Sequence, residues 1–207
     1  MSKDIINFPK IESPFKRVDI DGKYLCINEI NPGYEWVFED PTVLAVDKLH
    51  GTNICCIFEQ GILQSVDNRT NRLNAQPCIS SNWKTETYRA MEGIINCIKR
   101  GWIDKFYTGR LYGELVGPTI NGNLHQLDAH YFVPFDHLKK SCKWNSWSAN
   151  KYPKTFEAIK GWLIDIPSLF SGRMKPKQSS PYKLPGEGIV FHGPDGKMAK
   201  LRKDMFI

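Results

Sequence analysis

Short runs of β-forming residues, each cut off by a glycine-bearing turn, constrain this chain more than any other feature in it. Asp21-Gly22 separates Arg17-Val18-Asp19-Ile20 from Lys23-Tyr24-Leu25-Cys26-Ile27 and reads as a hairpin turn. Gln60-Gly61 turns the run Asn53 to Phe58 into Ile62 to Asp67, and Gly193-Pro194-Asp195-Gly196 joins two last strands, Gly186–Phe191 and Gly196–Leu201. Glu35 to Glu39 reads as a further strand, and Phe106 to Val116 as another. His130 to Asp136 is an aromatic strand whose internal Pro134 implies an edge or a bulge. Only one long helical pattern stands in the first half, from about Trp83 to Lys99. It has Tyr88, Met91, Ile94, Ile95 and Ile98 on one face and Lys99-Arg100-Gly101 as its end. A short helix follows from about Thr155 to Ile164, and Ser171 to Pro185 reads as a loop. Many strands with few helices predict an α+β domain of mostly antiparallel sheets.

The 207 residues predict one domain, with the strands of residues 1–40 packed on it. No apolar run approaches the ~20 residues of a membrane span, and Met1-Ser2-Lys3-Asp4 leads into no signal-peptide core. The six cysteines show no CxxC pair and no metal-finger spacing, which predicts buried free thiols in a reducing cytoplasm. A net charge of +6 fits a polyanionic partner without establishing one.

The chemistry concentrates at Val46-Asp47-Lys48-Leu49-His50-Gly51-Thr52-Asn53. Lys48 follows the apolar run Val43-Leu44-Ala45-Val46 and precedes a glycine turn, which holds a single amine at a strand end. A lysine nucleophile needs such placement, because an ordinary lysine (pKa ~10.4) offers almost no neutral amine at pH 7. Further motifs follow in order: Asn68-Arg69-Thr70, Gly113-Glu114-Leu115, the aromatic strand around Phe132, Glu187-Gly188-Ile189-Val190 and Lys200-Leu201-Arg202.

Lys-x-His-Gly-Thr-Asn, with these motifs behind it, resembles the ATP-dependent RNA ligases among the covalent nucleotidyltransferases. The resemblance spans about residues 43–203. It implies the nucleotidyltransferase (ATP-grasp-like ligase adenylation) fold and a ligase joining 3′-hydroxyl and 5′-phosphate RNA ends through a lysyl-AMP intermediate. By the same resemblance Lys48 is the nucleophile, and His50 and Lys200 assist catalysis. Asn53, Arg69, Glu114, Phe132, Glu187, Lys200 and Arg202 bind the nucleotide, and Glu114 and Glu187 hold Mg²⁺ or Mn²⁺. Arg72 competes with Arg69 for its role, and Tyr131 and Phe135 compete with Phe132 as the adenine-stacking ring. Arg202 departs from the commoner Lys-x-Lys. It keeps the charge and changes the geometry.

Lys139, Lys140, Lys143 and Trp144, with Lys175 and Lys177, mix cations and an aromatic in a way that suits RNA. The expected partners are therefore ATP and RNA, as a nicked duplex or broken ends, with no membrane. Two other readings stand beside this one: a DNA ligase or RNA-capping guanylyltransferase, against which His50 argues, and a catalytically silent nucleic-acid-binding relative. Relatives commonly carry an added domain. Forty N-terminal residues are too few for an OB barrel, so no separate OB domain is expected and an accessory strand-binding protein is a candidate partner. Compact ligases of this kind are frequent in viruses and phages.

Overall fold

Both predicted hairpin turns adopt the left-handed backbone that tight β-connections demand. Asp21 and Gly22 have φ of 52° and 79°, and Gln60 and Gly61 have 48° and 80°. The computed structural model describes residues 8–73, 85–148, 154–174 and 184–206. In chain order the elements begin with β1 (Phe15–Ile20), β2 (Lys23–Ile30), α1 (Trp36–Glu39), β3 (Leu44–Lys48), β4 (Thr52–Glu59), β5 (Ile62–Asp67) and β6 (Arg72–Leu73). Then come α2 (Glu86–Lys99), β7 (Gly109–Val116), β8 (Tyr131–Pro134), α3 (Phe135–Ser141) and α4 (Asn145–Ser148). The series closes with α5 (Phe156–Ile164), α6 (Leu169–Met174), β9 (Gly188–His192) and β10 (Met198–Arg202). Every strand pairing among the described residues is antiparallel, as the turn pattern requires.

The chain forms two compact units, one built on His50–His137 and the other on Lys10–Leu49 with Leu138–Ile207. The first carries the five-stranded sheet β6-β5-β4-β7-β8. Strand β8 is its edge, which explains how Pro134 is tolerated there. Helix α2 covers one face, starting at the N-cap Thr85, whose hydroxyl accepts the Tyr88 N–H. The second unit carries the β1–β2 hairpin and the three-stranded sheet β10-β9-β3. Its core gathers Ala45, Ile189, Phe191, Ala199 and Leu201 from that sheet with Trp147, Ile159 and Leu163 from the helices.

Three expectations need correction. Glu35–Glu39 is not a strand; Trp36–Glu39 forms one helical turn. Val37 is fully buried and Phe38 packs on Phe15, so tertiary packing overrides the β-propensity of these aromatics. Ser171–Met174, expected as loop, belongs to α6. Helix α2 exists as predicted, but its buried stripe is Ala90, Gly93, Ile94 and Cys97, while Tyr88, Ile95 and Ile98 are exposed. Gly93 sets this rotation. A Cβ there would stand 2.6 Å from Leu115 Cδ1 and 2.9 Å from the Phe132 nitrogen, so helix and sheet are closer than any other residue allows.

Gly161 in α5 is the opposite case, with nothing within 4 Å of its notional Cβ. Gly93→Ala is expected to destabilise by about 1–3 kcal/mol through overpacking. Gly161→Ala is expected to stabilise by about 0.5–1 kcal/mol through helix propensity. Urea midpoints of the two variants should move in opposite directions; equal shifts would sink this packing argument.

Cys26, Cys55, Cys56, Cys97 and Cys142 are buried free thiols, and Cys78 lies outside the described residues. Burial pushes the Cys97 thiol up to about 12, which suits a packing role. Among the described residues no helix is long and apolar enough to cross a membrane.

Candidate functional site

The register of the three-stranded sheet sorts its side chains by chemistry. Lys48 faces Gly188 and Gly188 faces Arg202, while Val46 faces Val190 and Val190 faces Lys200. Alternation along each strand therefore puts Lys48, Lys200 and Arg202 on one face. The other face carries Ala45, Ile189, Phe191, Ala199 and Leu201, all fully buried. Three cations thus share one surface of a rigid sheet. Gly188, across from Lys48, has no room for a side chain, since a Cβ would lie 2.0 Å from the Leu201 carbonyl oxygen.

Lys48 does not reach into water. Its side chain is 20% exposed, and Nζ lies 2.8 Å from Glu187 Oε2, itself 14% exposed. Glu187 stands just before β9 and is fixed through its carbonyl, which accepts the Lys203 N–H at 3.2 Å. The structure thus brings together two residues 139 positions apart in the chain. Arg202 pairs with Asp204 at 3.1 Å.

Sequence reasoning missed Asp47. Its side chain points to the core face, 1% exposed, and accepts the Ser168 hydroxyl and the Phe170 N–H, both at 2.9 Å. Ser168 in turn caps α6, accepting the Ser171 N–H at 3.1 Å. Burial pushes the carboxyl up to about 7 against these hydrogen bonds, with the Glu187 charge adding to the rise. The place of Asp47 one position before Lys48 in a mostly apolar run gives its face but not its partners, which come from α6 and from Ser168 just before it.

The other candidates lie in the five-stranded unit. Asn53 pairs with Glu114 across β4 and β7 on the face opposite α2, and its Nδ2 donates to the Gly113 carbonyl at 3.4 Å. Gly51 packs on the same glutamate; a Cβ there would meet Glu114 Cγ at 2.6 Å and the Leu115 carbonyl oxygen at 2.4 Å. His50 is half-buried, and its N–H donates to His125 Nε2 at 3.2 Å. The two candidate arginines differ in their surroundings. Arg72 is tied to the buried Asp67 by two hydrogen bonds, at 2.9 and 3.2 Å. Arg69 is exposed, on a turn that Asn68 Oδ1 closes by accepting the Thr70 and Asn71 N–H groups.

Phe132 requires a correction. It pairs with Leu115, lies on the α2 face and is 0% exposed, in one cluster with Ile54, Ile94 and Leu115. Its ring fills the space that a Cβ on Gly113 would take, at 2.6 Å. It is a core residue and not the stacking ring. Tyr131 lies under Arg100, and Phe135 packs on Phe8. Trp144 is likewise built into packing. Its backbone N–H donates to the Ala45 carbonyl, and its partly buried ring stands edge-on to Trp162 against the core of its unit. Of the lysines, Lys140 is exposed, Lys139 and Lys143 are half-buried, and Lys175 and Lys177 lie outside the described residues.

No group of three or more His, Cys, Asp or Glu suited to a metal occurs among the described residues. The expected pair divides between the units, Glu114 in the first and Glu187 in the second.

Lys48, held against Glu187, shares its sheet face with two further cations, Lys200 and Arg202. The chain belongs to the RNA ligase family, whose model matches residues 41–205. No curated protein matches it in sequence. Among solved structures, a mutant of Naegleria gruberi RNA ligase with ATP and Mn shares the fold at 19% identity and a TM-score of 0.51, over 95% of this chain and 56% of that one. An apo mutant of the same ligase is similar at 17% identity and a TM-score of 0.48, over 95% and 62%. The chain therefore spans 56–62% of the length of these ligases.

Proposed function

We propose that this protein is an ATP-dependent RNA ligase that works through a covalent Lys48–AMP intermediate. The observation that carries the reading is Lys48, paired at 2.8 Å with Glu187 on a sheet face that also presents Lys200 and Arg202. In the first step the neutral Lys48 amine attacks the α-phosphorus of ATP. The N–P bond forms, the bond from α-phosphorus to the bridging oxygen breaks, pyrophosphate leaves and the amine gives up a proton. AMP then passes to the 5′-phosphate of RNA and frees Lys48. The RNA 3′-hydroxyl attacks that activated phosphate and releases AMP. Such transfers ask a protein for positioning and for neutralisation of spread negative charge. Lys200 and Arg202 supply the charge beside Lys48, and Asn53, Arg69 and Glu114 the remaining nucleotide contacts.

Hard carboxylate oxygens such as those of Glu187 and Glu114 suit Mg²⁺ or Mn²⁺, which would polarise phosphate oxygens. One protein carboxylate can serve Mg²⁺, which keeps several waters and takes its other ligands from phosphates. Lys139, Lys140 and Lys143 are proposed contacts to the RNA backbone.

The test is incubation with α-labelled ATP and Mg²⁺ or Mn²⁺, followed by addition of a nicked duplex RNA. The expected result is label on the protein in an acid-labile, alkali-stable linkage, then chased onto RNA, with nicked DNA sealed far more slowly. Label from GTP in preference to ATP, or no label at all, would overturn the reading.

A further inference from the structure

The segment 117–127, between β7 and β8, is a self-supporting scaffold. Its backbone closes through Ile120 N–H to Gly117 O at 3.1 Å, Asn123 N–H to Ile120 O at 2.8 Å and Gln126 N–H to Asn123 O at 2.8 Å. The Asn123 side chain grips Leu127 in both directions, Nδ2 donating to its carbonyl and Oδ1 accepting its N–H, each at 2.9 Å. Asn121, Gly122, Asn123 and Gln126 all have positive φ, between 45° and 71°. Asparagine and glycine reach that region most easily, so the sequence Asn121-Gly122-Asn123 selects this shape.

Two side chains leave the scaffold for the turn that follows the nucleophile. Asn121 Nδ2 donates to the Gly51 carbonyl at 2.7 Å. His125, 1% exposed, accepts the His50 N–H on Nε2. Since an amide N–H can only donate, Nε2 carries no proton, and the neutral ring bears its hydrogen on Nδ1. These contacts fall on residues 50 and 51, between the end of β3 at Lys48 and the start of β4 at Thr52, where the turn leaves the sheet ladder.

We propose that Asn121 and His125 are positioning residues for adenylyl transfer, holding the turn whose first end is Lys48. The inference rests on the function proposed above. Strand β3 fixes the chain before Lys48 by pairing with β9, and the two side chains fix it two and three residues beyond. An in-line attack tolerates little misplacement, and an error of about 1 Å costs on the order of 10²-fold in rate.

The experiment uses the full chain and single-turnover labelling with α-labelled ATP. Wild type is compared with His125→Leu, His125→Gln and Asn121→Ala, and the melting temperature and the KM for ATP are recorded for each. His125→Leu and Asn121→Ala are expected to slow lysyl-AMP formation about ten- to a hundredfold with KM within about twofold of wild type. His125→Gln places an amide oxygen where Nε2 stood, so it recovers most of the rate. A purely structural histidine gives a different pattern, with rates that follow melting temperature and no selective rescue by glutamine. Wild-type rate in His125→Leu, or a glutamine variant as slow as the leucine one, overturns the inference while a labelled wild type leaves the function standing. A wild type that takes no label overturns both.

Discussion

Lys48→Ala is expected to take no label from ATP, a loss of at least about 10⁴-fold, because the proposed covalent intermediate forms on the Lys48 amine. The same variant should still seal RNA whose 5′ end is already adenylylated, since that substrate bypasses the step needing the amine. Loss of one reaction with survival of the other separates a missing nucleophile from a misfolded protein. Some destabilisation is also expected, because Glu187 at 14% exposure is left without its cation. The pair is not fully buried, so the cost is about 1–2 kcal/mol, below that of a wholly buried pair. Glu187→Gln probes the other side. It removes the charge paired with the amine and the carboxylate proposed for the metal, so labelling should fall by about 10²-fold or more at saturating ATP. Raising Mn²⁺ should restore little of it. Label on Lys48→Ala would place the nucleophile elsewhere and remove the basis of the proposal.

What the sequence reveals here depends on how far each feature reaches along the chain. Asp21-Gly22 and Gln60-Gly61 specify their own φ values, so the hairpins they close were legible without any partner. The Lys48, Glu187 and Lys200 motifs were legible because their residue types and order limit the chemistry, and the sheet register then places Lys48 and Lys200 on one face. Side-chain facing was less accessible. Phe132 and Val133 differ by one position, and only the pairing of β8 with β7 decides that Phe132 joins Leu115 on the α2 face while Val133 joins Glu114. Helix α2 looked amphipathic through its large residues, yet Gly93 lets a strip of small ones face the sheet. Asp47 and His125 were silent for a related reason. Their partners stand 121 and 75 residues away, and nothing local distinguishes a buried carboxylate or imidazole from a surface one.

Asp47 makes the protein less stable as pH rises from about 4 to 7. The ordinary carboxyl value is 3.8, and burial pushes it up to about 7 in the folded protein. Through that interval the folded protein keeps a proton that the unfolded chain has released, so stability falls with pH. The contribution is fully present below the unfolded value and is lost once pH passes the folded one. A shift of that size corresponds to on the order of 4 kcal/mol at roughly 1.4 kcal/mol per unit. Asp47→Asn keeps the shape and an oxygen for Ser168 and Phe170 but cannot ionise. Denaturant midpoints for wild type should therefore fall between pH 5 and 8 more steeply than those of Asp47→Asn, leaving the variant relatively more stable at pH 8. Asp47→Ala, which strips the Ser168 hydroxyl and the Phe170 N–H of their acceptor, should be weaker than wild type at pH 5, where the protonated carboxyl is at its most favourable. Parallel midpoint curves for wild type and Asp47→Asn would show that the carboxyl titrates normally. In that case the strand end at Lys48 would be anchored to α6 by an ordinary ionised aspartate.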